Sequence, residues 1–310
     1  VARNEPLTIP DLGGRRVLVT GASDGIGLEI ATRFAGAGAE VVVPVRNRTK
    51  GAAAVARITE QHPGAAVVLE DLDLSSLESV ATLGDRLRAD GTPIEVVVGN
   101  AGVMNPPGRQ TTRDGFELQF GTNHLGHVAL VGGLLPLLRA AGGRVVMQSS
   151  VAAQRASIQW DDLQSERTYV VTRAYAQSKL ACALFALELG RRSRAEGWGI
   201  TSAVSHPGVA PTSLLAARPE IGRTGDTVSV RLIRWLSARR LLVGTPASAA
   251  EPALLAATDA DLDGAFVGPT GPGQLGGPAG RRTPWAPLLR DADAARLWGV
   301  SEALVGRPVS

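Results

Sequence analysis

Tyr175 and Lys179 stand four residues apart in Tyr175-Ala176-Gln177-Ser178-Lys179. On a helix this spacing puts both side chains on one face, with about 5–6 Å between their Cβ atoms. An ammonium beside a phenol favours the phenolate and lowers the phenol pKa from its usual value of about 10. Such a pair gives and takes protons near neutral pH. Rarity adds weight to the pair. Of thirty-two basic residues only Lys50 and Lys179 are lysines, and Tyr169 and Tyr175 are the two tyrosines. Tyr169 has Arg173 in the corresponding position. A guanidinium does not shuttle protons, so Tyr169 is expected to pack or to line the substrate rim. Taken alone, the Tyr-x-x-x-Lys spacing also occurs by chance on ordinary helices.

The elements that position this pair alternate along the first two-thirds of the chain. Apolar runs of strand length lie at 17–20, 41–45, 66–69, 94–98, 144–148 and 200–204, and helical stretches at 26–36, 50–61, 77–89, 112–140 and 174–196 separate them. Short apolar runs between helices predict a parallel sheet buried on both faces. The expected fold class is therefore α/β, a doubly wound parallel sheet with helices on both faces. We expect one domain over residues 1–310. Its last part, 209–310, is expected to carry a substrate lid, a loop and a terminal helix. The lid is an amphipathic segment at 222–240 with Leu232, Ile233, Trp235 and Leu236 on one face. The loop is the Gly- and Pro-rich stretch 264–287, expected to be ordered but irregular, and the helix spans 291–304.

Composition excludes several classes. Hydrophobic residues make up 44% and charged residues 20% of the 310 residues, which fits a globular chain with a sizeable core. The formal charge is only +3, and the arginines are interspersed with acids, so no nucleic-acid partner is expected. The single cysteine, Cys182, sits in an apolar run and is expected to be a buried, inert thiol. The N-terminal ten residues lack the apolar core of a signal peptide. The apolar run 128–138 is shorter than the roughly 20 residues that cross a bilayer. A cytoplasmic protein without a membrane partner is expected.

A glycine-rich turn follows the first strand run, reading Thr20-Gly21-Ala22-Ser23-Asp24-Gly25-Ile26-Gly27. Glycines let a backbone approach a pyrophosphate, and the helix N-terminus that follows offers N–H groups to the anion. Gly21, Ser23, Asp24, Gly25, Ile26 and Gly27 are the candidate phosphate cradle. The second strand run ends in Val45-Arg46-Asn47-Arg48, with no acid to take a ribose 2′-hydroxyl. An arginine there accommodates a 2′-phosphate. Arg46 and Asn47 thus favour NADP(H) over NAD(H), although Asp24 near the phosphates pulls the other way.

Together these motifs resemble the short-chain dehydrogenase/reductase family over roughly residues 14–215. The glycine turn matches the family's T-G-x-x-x-G-x-G. Asp73-Leu74 matches the acid–leucine pair against the adenine, and Asn100-Ala101-Gly102 matches the N-A-G turn. Gly99 stands where the family has another asparagine, a change expected to loosen the central sheet slightly. Thr122-Asn123-His124-Leu125-Gly126-His127 matches the helix bearing the active-site asparagine, Asn123. Val145-Val146-Met147-Gln148-Ser149-Ser150 matches the strand ending at the catalytic serine, placed at Ser150 with Ser149 as the neighbouring alternative. His206-Pro207-Gly208-Val209 and Thr212 match the loop over the nicotinamide. Ser150 and Tyr175 stand further apart than is usual in the family, and the extra stretch with Asp114-Gly115-Phe116-Glu117 is similar to the retinol dehydrogenase and protochlorophyllide reductase branch.

The resemblance implies a Rossmann-type sheet and hydride transfer between NADP(H) and a carbonyl or alcohol carbon of an apolar small molecule. It implies Tyr175 as general acid/base, Ser150 as hydrogen-bond donor to the reacting oxygen, and Lys179 beside Tyr175 and the ribose. Asn123 would hold a water that relays protons to Lys179. Two other readings remain: an NADPH-dependent C=C reductase, and a non-catalytic dinucleotide-binding sensor or scaffold. The pocket walls are expected from 151–173 and 209–240, with Leu214 and Leu215 among the apolar residues. His124 and His127 have no third ligand nearby, so no metal is expected. The apolar faces of the helices at 112–140 and 174–196 suit pairing into a homodimer or homotetramer, or packing on their own chain.

Overall fold

The computed structural model describes residues 7–211 and 244–309. Among these the strands are β1 (Arg16–Val19), β2 (Glu40–Val45), β3 (Val67–Asp71), β4 (Val96–Gly99), β5 (Arg144–Gln148), β6 (Thr201–Ser205), β7 (Phe266–Pro269) and β8 (Ala279–Arg282). The helices are α1 (Gly25–Gly36), α2 (Arg48–Gln61), α3 (Leu77–Asp90), α4 (Leu118–Phe120), α5 (Gly126–Ala141), α6 (Val171–Glu196), α7 (Pro246–Thr258) and α8 (Asp291–Val305). One sheet runs in the order β3-β2-β1-β4-β5-β6-β7-β8, parallel except for β8 at the edge. The order reverses direction between β1 and β4, the switch point at whose carboxyl-end side open α/β sheets bind ligands.

Alternation of side chains sorts the strands into two cores. Val17, Val19, Val41, Val43, Val96, Val98 and Val146 pack under α1, α2 and α7. Leu18, Val42, Val97, Val145 and Met147 pack under α3, α5, α6 and α8. Side-chain caps start the helices: Asp24 accepts from Gly25 N, Asn47 from Lys50 N and Ser76 from Ser79 N. The doubly wound α/β expectation is met, and the six strand runs fall on β1 to β6.

The structure corrects three expectations. The helix expected over 112–140 begins only at Leu118, because Thr111 bridges Glu117 in a turn and the Glu117 carboxylate accepts from Phe120 N at 2.7 Å. The stretch 264–287 is not an irregular loop. It contributes β7, which is fully buried beside β6, and β8, which pairs back on β7. Strand length hid β7, since its apolar run is only Phe266-Val267 between glycines. Gly99 does not loosen the sheet: a Cβ there would lie 2.5 Å from Met147 Sδ, so the Met147 side chain fills the space. Helix α7 was not expected at all, although Thr245 and Ser248 form a capping box around Pro246. The lid segment 222–240 and residues Leu214 and Leu215 lie outside the described residues.

From α4 the chain passes through a π turn at Gly121–Leu125 into α5. This rod, Leu118–Ala141, is long and apolar enough to cross a bilayer, and 67% of its qualifying window is buried inside the protein. It is the central helix of one core. Helix α8 covers α6 and α5 from outside. Trp298 stacks on Phe185 at 5.3 Å beneath Arg192, and Ser301 Oγ bonds His124 Nε2 at 2.7 Å. Part of the face available for pairing subunits is thus packed on its own chain.

Trp298 is 3% exposed. We expect Trp298→Ala to destabilise the fold by about 3–5 kcal/mol, from lost burial and the cavity left behind. Urea unfolding measures this, and a change under about 1 kcal/mol would mean that α8 packs only loosely.

Candidate active site

Tyr175 and Lys179 lie on the sheet-facing side of α6, and both are buried, at 7% and 3% exposure. Their helix buries Leu180, Ala183, Leu184 and Phe185 in the core. Packing of that face holds the two polar side chains against the end of β5. The Ser150 side chain acts on the Tyr175 phenol and pulls its pKa down. Ser150 Oγ also accepts from Ala152 N at 3.2 Å, which caps a short 3-10 turn and orients the hydroxyl. Ser149 faces the other way and donates to Lys179 O at 2.9 Å. The choice between the two serines therefore falls on Ser150.

Lys179 Nζ donates to Gln148 O at 3.0 Å. Burial lowers the Lys179 pKa. The Tyr175 phenol is pushed up to about 12, chiefly by burial, while the Ser150 hydrogen bond pulls down. This reverses the expectation of a phenol lowered by its lysine. The spacing argument omitted desolvation, which is the largest cause of the shift at this depth. Tyr169 is also pushed up to about 12 by burial, and its hydroxyl accepts from Gln119 Nε2 at 3.4 Å. It is half-buried against Gln119.

Asn123 is fully buried in the π turn. Its Oδ1 accepts from Val103 N at 2.7 Å, and its Nδ2 donates to Val103 O and Ser178 Oγ. Its main-chain carbonyl accepts from His127 Nδ1 at 2.8 Å and from Cys182 Sγ at 3.0 Å. A carbonyl oxygen has two lone pairs, and both are used here. Asn123 ties the segment after Gly102 to α6. Cys182 is buried with a raised pKa, as expected of an inert thiol. No cluster of metal-ligating side chains occurs among the described residues.

The glycine turn fits a pyrophosphate. Gly21 and Gly25 have φ of +69° and +55°, a region that favours glycine. A Cβ on Gly27 would lie 2.3 Å from Gly21 O, so only glycine lets α1 start this close to the turn. Ser23 and Ile26 flank the turn, half-buried. The Asp24 carboxylate accepts from Gly25 N at 2.7 Å and so acts as the cap of α1. Arg46 follows β2 and is exposed, and Asn47 caps α2. In register Asp71 lies beside Val45, and it is ion-paired with Arg48 at 2.7 Å. Leu74 is buried, and the Asp73 carboxylate accepts from Ser75 N and Oγ. Asn100 and Ala101 donate their N–H groups to Thr20 Oγ1 at 3.0 and 2.9 Å. Lys179 Nζ comes within 3.4 Å of where a Gly102 Cβ would sit.

After β6, His206 leads into Pro207, Gly208 and Val209. Gly208 has φ +70°, and Val209 N donates to Leu275 O at 2.8 Å. Thr212 lies outside the described residues. The 151–173 insertion is pinned to α6, where Gln177 Oε1 accepts from Gln159 N and Gln177 Nε2 donates to Leu163 O. Arg296 of α8 sits 4.1 Å above the Trp160 ring.

Residues 15–220 match the family described as short chain dehydrogenase. The chain belongs to that family. Among curated proteins it is 37% identical to human "Retinol dehydrogenase 13" over 96% of this chain and 86% of that one. It is 35% identical to zebrafish (Danio rerio) "Polyprenol dehydrogenase" over 98% and 91%. A solved structure of an uncharacterized protein from Mycobacterium Paratuberculosis is 32% identical, with a TM-score of 0.77 and 97% of both chains covered. The short-chain dehydrogenase family and the retinol dehydrogenase-like branch are thereby shown. Motif matching gave no role to Thr20, Gln119, His127, Gln148 and Ser205, whose hydrogen bonds span distant elements. No local spacing signals such contacts.

Three imidazoles beside the site are buried and neutral. Burial lowers His124 to about 3, and His127 and His206 to about 4, from 6.5. Unfolded, each would bind a proton below 6.5, so the unfolded state takes up more protons there. Stability is present above that pH and is lost as pH falls towards 4. We expect stability to fall between pH 7 and pH 5, at a limiting slope of about 1.4 kcal/mol per pH unit for each histidine. Urea titrations at several pH values measure this, and a flat profile would show that the imidazoles are not held neutral.

Proposed function

We propose that this chain is an NADP(H)-dependent oxidoreductase that interconverts a carbonyl and an alcohol on an apolar small molecule. One observation carries the reading: the Ser150 side chain acts on the buried Tyr175 phenol, with Lys179 one helical turn away. The relatives' names, retinol dehydrogenase and polyprenol dehydrogenase, support long apolar alcohols and their carbonyl partners as the substrate class. The cradle of Gly21, Gly25 and Gly27 supports a dinucleotide. Arg46, placed directly after β2, supports a 2′-phosphate on it.

A bound nicotinamide supplies or accepts the hydride at the reacting carbon. The chain's own residues handle the oxygen. In reduction, the carbonyl π bond breaks as the carbon gains hydride, and Tyr175 gives its phenolic proton to the oxygen. Ser150 donates a hydrogen bond to that oxygen as charge develops. The Lys179 ammonium stabilises the phenolate left behind. A phenol pushed up to about 12 holds its proton at neutral pH and can give it to the developing alkoxide. Asn123 holds Val103 and Ser178 in place around the pair.

Two measurements test this reading. Tyr175→Phe should lower kcat about 10²- to 10⁴-fold on apolar aldehydes and ketones while dinucleotide binding persists. Turnover near the wild-type rate would remove Tyr175 from the chemistry. Arg46→Ala should weaken NADPH binding about tenfold and leave NADH binding unchanged, since it removes one charge-assisted contact. Equal losses for both dinucleotides would reject the 2′-phosphate assignment.

A further inference from the structure

We propose that the Gln148 side chain is a positioning residue that locks the phosphate-binding turn through Asn100. The proposal rests on the dinucleotide reading above. Gln148 ends β5 and is 3% exposed. Its Nε2 donates to Asn100 Oδ1 at 2.9 Å, and its Oε1 accepts from Ser205 Oγ on β6 at 2.8 Å. Asn100 Nδ2 in turn donates to Thr20 O at 2.8 Å. One side chain thus links the ends of β4, β5 and β6 to the start of the glycine turn.

The directions of these bonds are forced. Thr20 O is a main-chain carbonyl and only accepts. Asn100 must therefore present its NH₂ group there, which turns its oxygen towards Gln148. Gln148 must then present its own NH₂ group, and its oxygen is left for the Ser205 hydroxyl. Neither amide can flip without setting two acceptors face to face.

The Asn100 amide also touches the turn itself. A Cβ on Gly27 would lie 2.5 Å from Asn100 Nδ2, and a Cβ on Gly21 would lie 3.1 Å from it. The amide is wedged between the two glycines that form the cradle. Meanwhile the main-chain carbonyl of Gln148 holds Lys179 Nζ. A single residue therefore ties the turn to the lysine across the central strands. An apolar residue at 148 would leave Asn100 Oδ1 without its partner, and a partly buried acceptor left unpaired is costly. Asn100 would then be free to turn away from the glycines.

The test uses the full chain as wild type, Gln148→Leu, Gln148→Glu and Ser205→Ala. It reads NADPH affinity by fluorescence titration, dinucleotide KM against kcat, and amide hydrogen exchange over residues 20–27. We expect Gln148→Leu to weaken NADPH binding about tenfold, to raise dinucleotide KM more than it lowers kcat, and to speed exchange in the turn. Gln148→Glu should behave alike, because an ionised carboxylate keeps the Ser205 bond but has no proton for Asn100. It carries the test if Gln148→Leu does not fold. Ser205→Ala keeps the Gln148–Asn100 bond and should change affinity by about threefold or less. Variants at 148 that bind NADPH within about twofold of the wild type, or that match Ser205→Ala, would overturn the proposal while the dinucleotide reading stands. A wild type that binds no dinucleotide would overturn both.

Discussion

A buried ammonium is the constraint on which this structure depends. Lys179 is nearly free of solvent, and its head group rests on the Gln148 carbonyl. Removing such a charge from water costs several kcal/mol unless polar groups replace the solvent. Here they come from the end of the sheet. The α6 backbone is fixed by the Ser149 hydroxyl on Lys179 O and by the Ser178 hydroxyl, which accepts from Asn123 and donates to Tyr175 O. The same depth that lowers the Lys179 pKa raises that of Tyr175. Both members of the pair are drawn towards their neutral forms.

The surrounding polar groups are connected rather than scattered. Thr20 Oγ1 takes the N–H groups of Asn100 and Ala101 and also meets His127 Nε2 at 2.9 Å. The single proton of the Thr20 hydroxyl has two acceptors within reach, the Val98 carbonyl at 3.3 Å and His127 Nε2. The other ring nitrogen, Nδ1, meets the Asn123 carbonyl. Burial keeps the imidazole neutral. Ordered networks of this kind rigidify a site when every member is satisfied. This one joins the glycine turn, the N-A-G turn and the asparagine helix across the point where the strand order reverses.

Much of this was legible from residue type and spacing. Valine-rich strand runs, the glycine turn before α1, the Tyr175–Lys179 spacing and the serine at the end of β5 are local signals. Each reflects physics acting within a few residues: side-chain alternation, backbone conformation or helical periodicity. The illegible parts depended on contacts between distant segments. Met147 filling the space at Gly99 joins β4 to β5, and α8 covering the outside of α6 joins residues more than a hundred positions apart. Helix α7 and strands β7 and β8 are short or alanine-rich. Their periodic signal is weak until β6 and α1 supply a surface to bury them.

The sequence by itself determined the fold class and the family, because those are carried by short ordered motifs. Only the tertiary structure separated Ser149 from Ser150, since the Ser149 hydroxyl is taken up by the Lys179 carbonyl whereas Ser150 acts on Tyr175. It alone showed what surrounds Asn123, because His127 and Cys182, which meet its carbonyl, arrive from two different helices. It alone set the sign of the Tyr175 shift, because desolvation depends on what surrounds a side chain in three dimensions.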